Sequence, residues 1–248
     1  RFVRTPWIRR LSGVAGLLAA VAITAKPALT AAPEPIPDTS AAKLIEADVA
    51  FLKKGLDKDL KGAEKRSVPG LRAAALNIAL YGKDDTRAAA LKVADALAKK
   101  DFAGAKALGE KLPTAAGTPG DADALIKASK LTLGEVMAPF KADKFGGMNL
   151  EADTRKQLKK ATDVKQIELI AARTTALGEF MLLLPSEKAA ANDANKKKWD
   201  SYSKGMLKAS RETLAEAAKG DKADKAKLEK GLRTIDATCT ACHNEYRD

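Results

Sequence analysis

Histidine and cysteine are nearly missing from this chain: one histidine and two cysteines among 248 residues. Aromatic residues make up only 4%. Structural zinc needs four nitrogen or sulfur ligands, and the chain offers three at most. No stretch alternates apolar and polar residues as a half-buried strand would, so a thioredoxin-like dithiol beside a βαβ unit has no support. No arginine-rich block or interleaving of aromatic and basic residues occurs, which excludes the usual nucleic-acid surfaces. What is plentiful is alanine, and hydrophobic content reaches 46%. Few aromatics and much alanine point to helices packed closely through small residues.

The scarce residues are all in one place. Cys239, Cys242 and His243 fall within a single pentapeptide, Cys-Thr-Ala-Cys-His. This Cys-x-x-Cys-His spacing is the attachment pattern of a c-type haem. Two thiols add across the haem vinyl groups as thioethers, and the neighbouring imidazole binds iron as its fifth ligand. On a helix, positions three and four apart share one face, so the three groups can act together. A plain disulfide between the cysteines is the remaining structural reading.

The formal charge is +12. Residues 1–31 read as a secretory signal: Arg1, Arg4, Arg9 and Arg10 in a basic stretch, an apolar run from Leu11 to Ala25, and Leu29-Thr30-Ala31 as a cleavage site. The run falls short of the roughly 20 residues of a membrane span. An uncleaved N-terminal membrane anchor is therefore the alternative to an exported, periplasmic protein. Removing this segment leaves a charge of about +7, spread along helices as Lys alternating with Asp or Glu. Residues 32–40, with three prolines, read as a stiff linker.

From Ala41 the periodicity predicts an all-α chain. The first half, 41–112, reads as helices over 41–65, from Pro69 to Tyr81, from Asp84 or Asp85 to Lys99, and over 101–112. Residues 113–120, rich in proline and glycine, read as a linker between domains. Four longer helices follow: A over 121–140, B over 163–184, C over 190–219, and D carrying Leu228, Leu232, Ile235, Cys239, Cys242 and Tyr246 on one seam. Residues 141–154 read as a loop. Short loops and apolar seams predict an up-and-down four-helix bundle with covalent haem in its interior, preceded by the additional helical region. A shift of about 120 residues sets Leu108 and Leu112 on Leu228 and Leu232, so the first half reads as a candidate degenerate duplicate. Pro119 then stands where Cys239 would, and residues 41–112 hold no cysteine, histidine or methionine. One haem per chain is expected.

Residues 121–248 resemble the class II c-type cytochromes, the cytochrome c′ family. Trp199 opening helix C, the Lys219-Gly220-Asp221 turn and the closing Cys-x-x-Cys-His-x-x-x-Arg carry the resemblance. It implies a four-helix bundle with the haem motif near the end of the last helix, and it places Arg247 beside the haem on the side of His243. The Val136-to-Phe140 stretch resembles the family's helix A end, which puts the residue across the iron near Ile126 or Lys127. The apolar stripe turns Ile126 inward. On a straight helix Met137 lies roughly 16 Å further along the axis, at 1.5 Å per residue, too far to serve. Met148, Met181 and Met206 read as packing or loop residues, and Lys127 or Lys130 as a ligand is the weaker reading.

Two functions follow as expectations. The first is one-electron transfer to a redox partner protein, an acidic one given the lysines. The second is reversible binding of a diatomic gas, nitric oxide or carbon monoxide, at a vacant iron face beside Ile126. No enzymatic activity is expected, since no histidine remains for acid-base work. A homodimer is among the assemblies open to such a bundle.

Overall fold

The computed structural model describes residues 35–246. These form eleven α-helices and three short 3-10 turns, with no strand among the described residues and a lone bridge between Gly82 and Ala116. The described residues are therefore all-α. The expected N-terminal signal, residues 32–34 of the expected linker and Arg247 lie outside the described residues, while residues 38–40 of that linker belong to the first helix. None of the described helices is long and apolar enough to cross a membrane.

Helices α1 (Asp38–Leu56), α2 (Glu64–Tyr81), α3 (Asp84–Ala98) and α4 (Phe102–Glu110) pack on one another in sequence, with α4 returning to α1. The first helix ends earlier than periodicity suggested, in a turn that uses Gly62 at φ 80°. The second begins before Pro69. A proline removes one N–H, and the carbonyl that loses its bond is that of Lys65, which is exposed and open to water. Buried Leu44, Ile45, Leu52, Leu76, Ile78, Leu80 and Leu97 fill the space between these helices.

The second half is built on α8 (Val164–Leu183), α10 (Asp193–Ala217) and α11 (Lys225–Tyr246), with the one-turn α9 (Glu187–Ala190) between the first two. Helices α8 and α10 are antiparallel: Trp199 Nε1–H donates to the Met181 carbonyl at 2.9 Å, and Leu207 lies against Gly178. Helices α10 and α11 are antiparallel too, with Met206 beside Cys239 and Thr213 against Gly231. A Cβ on Gly231 would stand 2.0 Å from Thr213 Oγ1, so this crossing needs glycine.

Helix A is not continuous. It consists of α5 (Ala122–Ser129) and the short α6 (Leu133–Met137), followed by a 3-10 turn over Ala138–Phe140. Lys130 adopts left-handed φ 52° and ψ 42°, which costs a non-glycine residue about 1–2 kcal/mol and ends α5. Thr132 then caps α6 in a reciprocal box with Glu135. The expected loop over 141–154 is also partly helical. A 3-10 turn covers Asp143–Phe145, and α7 (Leu150–Lys159) buries Leu150, Thr154 and Gln157 on one face.

Residues on both sides of 113–120 share one core, and all the described residues fall in one compact unit. Two buried polar contacts tie the halves. Asp48 on α1 receives Arg173 of α8, and Ser40 Oγ–H donates to Glu168 Oε1 at 2.7 Å.

Candidate functional site

Helix α11 carries the site because its apolar residues recur at helical spacing. Leu228, Leu232, Ile235, Cys242 and Tyr246 are buried, and Cys239 is half-buried on the same seam. The last turns are latched to the start of α10. Tyr246 O–H donates to the Asn195 carbonyl at 2.7 Å, and its ring meets Trp199 edge-on at 5.4 Å. Glu245 accepts from Lys198 Nζ at 2.7 Å and from Tyr202 O–H at 3.1 Å. Lys188 Nζ donates to the Glu245 carbonyl at 2.6 Å. An aromatic pair of this kind adds about 0.5–1.5 kcal/mol beyond its area.

Cys239, Cys242 and His243 line one cavity of about 280 Å³. Its other walls come from distant parts of the chain. Leu133, Met137 and Phe140 reach it from the α6 segment, Glu151 and Arg155 from α7, Met181 from α8, and Trp199 and Met206 from α10. Three of the four methionines of the chain therefore face the cysteine–histidine group. Cys239 Sγ lies 3.7 Å from Met206 Sδ. Arg155 spans the cavity, pairing with Glu151 at 2.9 Å and with Asp236 of α11 at 3.6 Å.

Both thiols are held in their neutral form. Burial pushes Cys239 up to about 12, with the Cys242, Asp236 and Glu151 charges adding to the rise. Burial, then the Glu245 carboxylate, pushes Cys242 up to about 11. Cysteines that work as nucleophiles or redox pairs have lowered values, set by nearby cations or helix N-termini. This pair has the opposite surroundings, which argues against dithiol exchange chemistry.

The donor set fits a haem. Thioether formation consumes S–H groups without creating charge, which suits thiols set among apolar and acidic neighbours. No three His, Cys, Asp or Glu side chains gather as ligands for a bare metal ion among the described residues.

The other residues weighed in the sequence lie apart from this cavity. Ile126 is half-buried on α5 and does not line this cavity. The break at Lys130 is the reason: distances counted along a straight helix A do not hold across it. Lys127 and Lys130 are exposed, and Lys127 pairs with Asp123 one turn back. Met148 is buried between the 3-10 turn and α7, away from the lining. Leu133, Met137 and Phe140, with Arg155, are site residues that the sequence reading passed over, and Met181 and Met206 line the site although they read as packing. The signal that could have found the first three is Thr132-x-x-Glu135, a capping-box pattern inside the expected helix. Compared with known protein families, curated proteins and solved structures, the chain matches none of them.

Proposed function

We propose that this protein is an exported c-type cytochrome of the class II kind that carries one covalent haem and transfers single electrons. The observation that carries the reading is the single cavity shared by Cys239, Cys242, His243 and three methionine side chains. Cys239 and Cys242 would hold the macrocycle and His243 its iron. The haem would supply the redox couple, and a methionine sulfur offered to its iron along with His243 would favour a low-spin electron carrier. Met137, at the end of α6, and Met181 would be the candidates to supply it, since Met206 Sδ already lies against the Cys239 thiol. At about 280 Å³ the cavity lies at the lower edge of the usual roughly 300–1,000 Å³ range for small-molecule sites. Lys141, Glu151 and Arg155, which line the cavity, are exposed. Exposed Lys141 gives an acidic redox partner one point of attraction.

One observation favours the second reading, reversible binding of carbon monoxide or nitric oxide. Leu133 shares the cavity with Met137, so an aliphatic face is present beside the sulfur. The two separate in one experiment on the purified holoprotein. Haem that stays with the denatured chain, together with a low-spin ferrous spectrum, supports the electron carrier. A high-spin ferrous spectrum with direct carbon monoxide binding supports the gas binder. Haem extracted by acid-acetone, or a Cys239→Ala/Cys242→Ala chain that holds haem as firmly, rejects both.

A further inference from the structure

The N-terminal helices offer no ligand chemistry, yet α2 packs directly on the segment that walls the site. We propose that Arg72, on α2, is a positioning residue that fixes α6 across its break and so sets how Leu133 and Met137 stand over the cavity. The proposal rests on the haem reading for what α6 faces.

Arg72 is 6% exposed. Its Nη1 donates to Glu135 Oε1 and its Nη2 to the Ser129 carbonyl. Ser129 is the last residue of α5, and Glu135 lies inside α6, so one guanidinium bridges both sides of the left-handed Lys130. The other Glu135 oxygen accepts from the Thr132 N–H at 2.9 Å and from its hydroxyl at 3.0 Å. Arg72 therefore neutralises the carboxylate that starts α6. A helix of five residues has no stability of its own and must be held by its surroundings. A lysine could supply the charge but not the fork that reaches both partners.

A second contact pins the far end of the same segment. A Cβ on Gly70 would stand 2.0 Å from the Gly146 carbonyl, so the α2 backbone touches the turn that follows Phe145. Gly146 itself has φ 78° and lies against the Arg66 carbonyl. One helix thus holds the stretch from Leu131 to Gly146 at both ends. Its register fixes where Met137 points.

The test uses the full-length holoprotein and three variants. In Arg72→Met, amide exchange over 131–140 should rise about tenfold while α8 stays protected. Haem should remain attached, and the ferrous spectrum or the carbon monoxide association rate should shift several-fold. Arg72→Lys should fall between wild type and Arg72→Met. Lys99→Met, which alters an exposed ion pair at the end of α3, should change neither readout. A folded Arg72→Met with wild-type exchange and spectrum overturns the proposal. So does faster exchange with an unchanged spectrum, or a Lys99→Met variant that gives the same shifts. Should Arg72→Met not fold, Arg72→Lys is judged by the same criteria. A wild-type chain without covalent haem overturns the haem reading instead, and the exchange measurement then decides alone whether Arg72 holds α6.

Discussion

Replacing Arg173 by methionine leaves the Asp48 carboxylate in the core without its cation. Asp48 is 0% exposed, and Oδ1 accepts from Arg173 Nε at 2.8 Å and Nη2 at 2.7 Å. Oδ2 accepts from Asn77 Nδ2 at 3.0 Å. Burial raises the carboxyl above its ordinary 3.8, and Arg173 and Asn77 pull it back. Removing one partner of a buried pair costs about 3–5 kcal/mol, because the other charge stays uncompensated. The sign with pH follows from proton counts. Above pH 3.8 the folded chain holds the Asp48 proton longer than the unfolded chain, so stability falls as pH rises towards the folded value. In Arg173→Met the folded value climbs further, and the fall extends to higher pH. The penalty should therefore be about 1–3 kcal/mol near pH 4, where a neutral carboxyl has lost only hydrogen bonds. It should reach about 3–5 kcal/mol at neutral pH. Urea unfolding followed by far-ultraviolet circular dichroism across this range measures it. A penalty below about 1 kcal/mol at neutral pH, or one that grows on acidification, would refute the reasoning.

The fragment 121–248 should not unfold cooperatively, since Arg173, Glu168 and the α6 segment lose their partners on α1 and α2; a sharp transition with full helical content would show that the halves do not need one another. In chain made without haem, the thiols should react with iodoacetamide more slowly than free cysteine near pH 8, Cys242 by about a hundredfold and Cys239 by about a thousandfold. Because burial raises them to about 12 and about 11, reactivity should appear only as pH climbs towards those values, and fast labelling of either at pH 8 would contradict this. On the haem reading, Met137→Ala should move the ferrous spectrum towards high spin, whereas Ile126→Met should leave it unchanged; the reverse pattern would restore Ile126 as the residue facing iron.

Helix type and most helix positions were legible because the seams are regular. The Leu228-to-Tyr246 seam reads as a helix from spacing alone, and its buried residues are the ones the spacing selects. The same holds for α8, where Ile167, Ile170, Thr174, Leu177 and Met181 are all buried. Helix α7 was not legible, since Leu150 and Leu158 are its only large apolar residues and the positions between them, Thr154 and Gln157, are polar. Their burial comes from packing against α8 and α11, which local periodicity does not encode. Nor could spacing show that 41–112 and 121–246 share a core. The residues that join them, Asp48, Arg72 and Arg173, are charged and read as solvated until their partners are known.

The cysteine–histidine face of the site was legible for a chemical reason and the opposite face was not, for a geometric one. Cys239, Cys242 and His243 are neighbours in sequence, so a helix alone brings them together. The residues across the cavity depend on where one chain direction changes. Had α5 run straight into α6, Met137 would lie three turns beyond Ile126 and on its own level of the bundle. Lys130 in the left-handed region ends that run, and the Thr132–Glu135 box starts a new one. Lysine has no preference for that conformation, so nothing at position 130 announces it. What stabilises the break is Arg72, which comes from another helix and joins Ser129 to Glu135. The wall of the cavity facing His243 is therefore a tertiary property. It is written in residue 72 as much as in residues 126 to 140, and a reading confined to the second half of the chain would miss it.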